Sequence, residues 1–319
     1  MLRTLAGGTL RRQMVHDMHA GMPDTAERPC EICGGSAFAP RFEKAGHRYV
    51  RCGSCALERI HPPPSDADLD AIYGRQYYDA WGLADASSQV GDIKRATFRR
   101  VIAAAGALPR GAKVLDCGAA TGFLMEVAAE MGLDPYGIEL SAFGARAIAE
   151  RFGAGHVFEG QLEAARFPAL GPAPFSAVFM CDYLEHVRDP AGVLRSAATW
   201  LQPDAPLVIS TPRLGSFTQR CMGPGWTHYK TEHLYYFTPD NLRLLLERSG
   251  FRQARCGPAW KTLTLDYARH QFDAYRHPLL TPLGRLLAWL PERARRLPIP
   301  LALGEMLVVA RRKTTDEPR

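Results

Sequence analysis

From Lys113 onward, short apolar runs alternate with stretches of helical period, and this alternation constrains the fold more than any other feature of the chain. A strand followed by a helix must return across one face of a sheet, so a series of such units builds a parallel sheet covered on both faces. The pattern predicts strands over 113–117, 135–139, 155–159, 176–181, 207–211, 251–256 and 306–311. Helices are predicted over 122–131, 142–152, 191–201 and 240–249, the last opening with a Thr-Pro-Asp start signal at Thr238. Upstream, Pro62-Pro63-Pro64 stiffens a linker, Ser65 or Asp66 caps a short helix through Ile72, and a further helix is expected over 92–107.

At 319 residues the chain has room for one large α/β domain and a small accessory module. Its 46% hydrophobic and 23% charged residues are ordinary globular usage. The longest uncharged stretch, 167–181, is shorter than the ~20 residues of a membrane-spanning helix and contains three prolines. Residues 1–27 lack the apolar core of a secretory signal and read as a loose extension, with Met14, Met18 or Met22 as alternative starts. The expected organisation is an extension over 1–27, a metal module over 28–61, linker and helices over 62–112, and the α/β domain over 113–313. That domain would carry a helical insert over 258–304, and 314–319 would form a tail.

The net charge of +6 is unevenly placed: seven basic and two acidic residues lie between Arg285 and Lys313, and the remainder is nearly neutral. With Leu, Ile and Trp interleaved, this basic segment is either a solvated helix face or a weak contact for an anionic membrane surface.

Eight cysteines in a chain of cytoplasmic type point to metal ligands or core residues rather than disulfides. Cys30, Cys33, Cys52 and Cys55 form a C-x2-C-x18-C-x2-C pattern, within the spacing of zinc ribbons. Two intervening residues let one tight turn present two thiolates to a tetrahedral ion. Four thiolates leave no open coordination position, so this Zn2+ is expected to be structural. The module is close to neutral once the thiolates are counted, a weak footprint for nucleic acid, and no nucleic-acid partner is expected.

The first strand of the domain runs into Asp116-Cys117-Gly118-Ala119-Ala120-Thr121-Gly122-Phe123, and the second ends in Gly137-Ile138-Glu139-Leu140-Ser141. A glycine-rich turn after a first strand lets backbone approach a ligand at the carboxyl edge of the sheet. Nicotinamide and flavin sites use G-x-G-x-x-G for a pyrophosphate, but Ala120 occupies the second glycine position here. The acidic residue followed by G-x-x-x-G resembles the motif of the class I S-adenosylmethionine (SAM)-dependent methyltransferases. That resemblance implies a Rossmann-like, doubly wound fold with a seven-stranded, mostly parallel sheet, and SAM as cofactor. It implies that Asp116, Gly118, Ala119, Gly122 and Phe123 surround the aminocarboxypropyl end, that Glu139 grips the ribose hydroxyls and that Leu140 follows it. Gln161 and Leu162 would meet the adenine, with Gln161 standing where an Asp is common. Glu139 suits its role physically, because two carboxylate oxygens can accept from two vicinal hydroxyls.

The fourth strand leads into Cys181-Asp182-Tyr183-Leu184-Glu185-His186-Val187-Arg188-Asp189-Pro190, similar to the L-E-H-x-x-D-P block of many small-molecule methyltransferases. The resemblance places Cys181 and Asp182 near the transferable methyl. Glu185 and His186 either bind substrate or a divalent cation, or brace the following helix. Methyl transfer from a sulfonium asks mainly for alignment and a base. In Trp226-Thr-His228-Tyr229-Lys230-Thr-Glu232-His233-Leu-Tyr235-Tyr236, His233 is the expected base, with Glu232 beside it to stabilise its charged form; a structural role in the loop is the competing reading. His186 is the third candidate for the chemistry. The block is also similar to that of bacterial sugar C-methyltransferases with an N-terminal zinc module, although Lys230 stands where their tyrosine would be. The expected function is O- or C-methylation of a small-molecule or sugar acceptor. The alternatives are an RNA methyltransferase that docks nucleic acid through the ribbon, and a SAM-binding protein without turnover.

Overall fold

The computed structural model describes residues 28–72, 89–266, 286–287 and 289–314. The proposed extension over 1–27, the aromatic segment around Tyr77, and residues 267–285 of the insert lie outside them.

The first unit is a small antiparallel sheet of β1 (Phe38–Lys44), β2 (His47–Cys52) and β3 (Glu58–His61). Ala45 and Gly46, both at positive φ, form the two-residue turn between β1 and β2, the backbone a tight hairpin favours. Two helices follow, the short α1 (Asp66–Ile72) and the longer α2 (Gln89–Ala104).

The large sheet then begins. Its strands are β4 (Lys113–Cys117), β5 (Asp134–Glu139), β6 (Val157–Glu159), β7 (Ala177–Cys181) and β8 (Pro206–Pro212), all parallel. The connecting helices are α3 (Phe123–Glu130), α4 (Ala142–Phe152) and α5 (Pro190–Trp200). After β8 come the short α6 (Phe217–Met222), β9 (Tyr235–Tyr236), α7 (Pro239–Arg248) and β10 (Phe251–Pro258). The Thr238 start signal is realised as a capping box with Asn241. A hairpin of β11 (Lys261–Thr264) and β12 (Pro298–Leu301), with α8 (Glu292–Arg295) between them, precedes the last strand, β13 (Glu305–Arg312). The seven-stranded order is β10-β13-β8-β7-β4-β5-β6, with β13 antiparallel to both neighbours.

Successive residues of the central strands feed opposite faces. Val114, Phe179 and Val208 pack with Val101 and Ile102 of α2 and Leu124 and Val127 of α3. Leu115, Val178 and Leu207 pack on the other face with Leu194 of α5 and Leu242 and Leu245 of α7. Burying side chains of this size contributes ~1.5–3 kcal/mol each, so both helical layers are firmly held. This is the doubly wound architecture expected from the alternation.

One expectation needs correction. The insert over 258–304 is not wholly helical: Lys261–Thr264 form β11, because the alternating Lys-Thr-Leu-Thr suits a pleated strand, and it pairs with β12. In the basic C-terminal segment, Arg311 and Lys313 bond the carbonyls of Asp204 and Glu247, whereas Arg295 and Arg296 form ion pairs with Asp266 and Glu292. Among the described residues no helix is long and apolar enough to cross a membrane.

Candidate functional site

The carboxyl ends of the parallel strands carry two adjoining sites. In the first, β4 gives way to a loop in which Gly118, Ala120 and Gly122 all have positive φ. A Cβ on Gly118 would stand 2.7 Å from the Tyr183 ring, and one on Gly144 would stand 2.3 Å from the Ala120 carbonyl oxygen. Both glycines are therefore required by the close approach of chain to chain. Glu139, at the end of β5, accepts from the backbone N–H of Ala120 at 2.7 Å and of Ser141 at 2.8 Å, one on each oxygen. The loop is thereby locked to the carboxylate, whose two oxygens can accept from vicinal hydroxyls. Asp116 is buried and makes no ion pair among the described residues. Burial, then the neighbouring Glu139, pushes its carboxyl well above the usual range. A ligand ammonium beside it would restore its charge, so this donor set fits the aminocarboxypropyl and ribose groups of SAM. Ala119, Phe123 and Leu162 are buried under the loop, Leu140 is 60% exposed as an apolar platform, and Gln161 is exposed next to Leu162.

The second site lies beyond the end of β7. Cys181 is an unreactive thiol, its pKa raised well above normal by burial. Asp182 adopts φ +50 and keeps 45% of its side chain open to solvent, at the floor of a cleft. Its Oδ2 accepts from Lys261 Nζ at 3.0 Å and its Oδ1 from the Ser210 hydroxyl at 3.3 Å. Lys261 also donates to Glu305 Oε1 at 2.7 Å, and His228 Nε2 lies 3.7 Å from that oxygen. Burial opposes the charge on Asp182, but Lys261 outweighs it and holds the carboxyl below its usual range. Glu305, more deeply buried, is pushed up to about 7 despite Lys261. Lys94, from α2, is pushed down to about 8 by burial and by Lys261.

Three imidazoles complete the cleft. The rings of His186 and His233 meet edge to face at 4.7 Å, and those of His228 and His233 are 6.4 Å apart. Burial lowers His186 to about 4 and His228 to about 3, and drives His233 well below its usual value. At neutral pH all three are uncharged. Glu232 does not face His233: its carboxylate lies 3.9 Å from Lys230, and after burial the neighbouring charges of His186, Lys230 and His228 all oppose a charge on His233, while a hydrogen bond to the His228 backbone favours it. His233 makes a backbone hydrogen bond to His228 and leaves Nδ1 without a partner among the described residues. Glu185 accepts from the Thr211 hydroxyl at 3.0 Å through Oε2, while Oε1 is likewise unpartnered. Glu185, His186 and His233 offer ligand atoms within 4.8 Å of one another and can together hold a divalent cation.

A family model described as a methyltransferase domain matches residues 91–254, just over half of the chain. The chain belongs to this methyltransferase family. Its fold is that of the class I SAM-dependent enzymes. A solved chain from the complex of the Haloferax volcanii Trm112 methyltransferase activator with a methyltransferase superposes with a TM-score of 0.53 at 15% identity, covering 74% of this chain and 98% of that one. Among curated relatives, the ubiquinone biosynthesis O-methyltransferase of Stutzerimonas stutzeri is 34% identical over 108 residues, 32% of this chain and 44% of the relative. That of Aeromonas salmonicida is 31% identical over 153 residues, 44% of this chain and 63% of the relative. The chain thus spans less than two thirds of the length of these curated relatives.

The family match begins at residue 91 and leaves the four-cysteine module outside. There, the four Sγ atoms lie within 4.8 Å of one another, with Cys30 and Cys55 at 3.4 Å and Cys33 and Cys52 at 3.6 Å. Sulfurs ~2.3 Å from a tetrahedral zinc stand about 3.8 Å apart, so the thiolate set fits that ion. Sequence reasoning missed Lys94, Lys261 and Glu305 as members of this methyltransferase's cleft. They come from α2, β11 and β13, and no local motif marks them. The unusual Gly304-Glu305 pair at the start of an apolar last strand was the one available signal.

Proposed function

We propose that the protein transfers the methyl group of SAM to a hydroxyl of a small-molecule acceptor lying over Asp182, and that zinc held by Cys30, Cys33, Cys52 and Cys55 is structural. The observation that carries this reading is the packed group of imidazoles, His186, His228 and His233, at the strand edge adjoining the Asp116–Glu139 loop. When bound, SAM supplies an electrophilic methyl on a sulfonium. The chain's own part is to orient the acceptor through Asp182 and Lys261 and to take its hydroxyl proton. A neutral His233 has a free lone pair for that proton at Nδ1, with His186 beside it. The names of the curated relatives favour oxygen as the acceptor atom. The RNA alternative is disfavoured because Arg41, Arg51 and Arg59 of the ribbon are engaged internally with Glu58 and Glu31.

The test is calorimetric titration with S-adenosylhomocysteine and separately with NAD, using wild type and Glu139→Ala. Binding of the former, weakened about tenfold or more by the substitution, is the expected result. Preference for NAD would overturn the reading. Label from methyl-labelled SAM should then appear in the small-molecule fraction of an extract rather than in RNA. A second reading, a divalent cation on Glu185, His186 and His233, is favoured by the two unpartnered buried atoms, Glu185 Oε1 and His233 Nδ1. It requires metal analysis to find more metal than the four-thiolate centre binds, with the excess lost in Glu185→Gln.

A further inference from the structure

The four-cysteine module does not stand apart from the methyltransferase domain. Its sheet is completed by β9, which comes from the loop carrying His233, with Glu58 opposite Tyr236 and Arg59 opposite Tyr235. One residue after His233, the backbone of Leu234 is held on both sides. Its carbonyl accepts from Ile60 N of the module at 3.1 Å, and its N–H donates to the carbonyl of Glu185 at 2.8 Å.

Two carboxylates of the module reach the same loop. Glu58 is fully buried; it takes Arg41 and Arg51 at 3.2 and 3.0 Å on one oxygen and the Tyr229 hydroxyl at 2.7 Å on the other. Glu31 is paired with Arg59 at 2.6 Å, and the Tyr235 hydroxyl shares its one proton between the Arg188 carbonyl at 2.9 Å and Glu31 Oε1 at 3.2 Å. Around these bonds Phe42, Tyr49 and Ile60 of the module pack with Trp226, Tyr229 and Tyr236. Removing this buried carboxylate would leave Arg41, Arg51 and the Tyr229 hydroxyl without their partner, so it fixes how the module meets the loop.

We infer that the module is the positioning element of the acceptor cleft. Glu58 is its positioning residue: through Tyr229 and the β3–β9 pairing it sets His233 against His186. This rests on the reading of the histidine cleft as the acceptor site. The module's hydrogen bonds to the domain run to Trp226, Tyr229, Leu234 and Tyr235 of the loop and to Asn241 and Arg248 of α7, so cofactor binding is expected to be independent of it.

The experiment uses the full chain, with hydrogen exchange of residues 226–237, side-chain imidazole NMR and calorimetry with S-adenosylhomocysteine on wild type, Glu58→Gln and Tyr229→Phe. The expected result is exchange about tenfold faster over 226–237 in Glu58→Gln, with displaced His186 and His233 imidazole signals and S-adenosylhomocysteine affinity within about twofold of wild type. Tyr229→Phe, which removes only the hydroxyl, should shift the same imidazoles less and serves if Glu58→Gln does not fold. Unchanged exchange and unchanged imidazole signals in folded variants would overturn the inference. Absence of S-adenosylhomocysteine binding by wild type would sink the methyl-transfer reading instead, while the exchange and imidazole comparisons would still judge the positioning role.

Discussion

The proposed cofactor loop and the histidine cleft share one edge of the sheet but are built in opposite ways. Asp116, Gly118, Ala120 and Glu139 come from one strand-turn-helix-strand unit, and two backbone hydrogen bonds to Glu139 close it. The cleft draws Asp182 from β7, His228 and His233 from the loop before β9, Lys261 from β11, Glu305 from β13 and Lys94 from α2. It is then braced from behind by a module near the start of the chain. One site is therefore held by local geometry and the other by long-range contacts, so damage should separate them.

Cys52→Ser should separate them most widely. Losing one of four thiolates forfeits most of a metal-binding free energy that is on the order of 10 kcal/mol in small zinc modules. Zinc content should fall and exchange protection should vanish over 28–61 and 226–237, while the strands between 113 and 212 stay protected. Loss of protection throughout would mean that the two regions are one cooperative unit. Conversely, Gly144→Ala places a Cβ against the Ala120 carbonyl and should weaken S-adenosylhomocysteine binding by about a hundredfold, from ~2–3 kcal/mol of overpacking. The imidazole signals should remain where they are in wild type; if they move with it, the sites are coupled.

Protonation should distinguish the two regions more subtly. His186 should remain neutral well below pH 6 and titrate at about 4, with His228 at about 3 and His233 uncharged throughout, as read by imidazole NMR. Because these folded pKa values are depressed below the unfolded ~6.5, each histidine contributes stability that is complete above that pH and lost as pH falls toward the folded value. Glu305 has the opposite sign: its raised value, about 7, gives stability present below the ordinary carboxylate range and lost as pH rises through 7. Titration of His186 or His233 near 6.5 would show a cleft more open to water than this one.

Much of the first site was legible because its information is local. The turn glycines, the acidic strand ends and the alternation of strands and helices are neighbours in sequence, and their spacing follows from strand and helix periods. The four-cysteine pattern was legible for the same reason. The cleft was legible only in part. Asp182, His186 and His233 lie in blocks of recognisable spacing, but the role expected of Glu232 failed, because its carboxylate turns toward Lys230 instead of toward its neighbour in sequence.

Periodicity and short spacing along the chain were enough to specify the doubly wound α/β class and the four-cysteine pattern, and the resemblance to a family marked the loop over 116–122 as the expected cofactor site. Folding alone settled that Lys261 and Glu305 join Asp182, that β9 completes the ribbon sheet and that burial lowers the pKa of the three histidines. Contacts such as Tyr229 with Glu58, 171 residues apart, leave no periodic trace in the chain, and the charge of a side chain is set by burial and neighbours that exist only once the chain has folded.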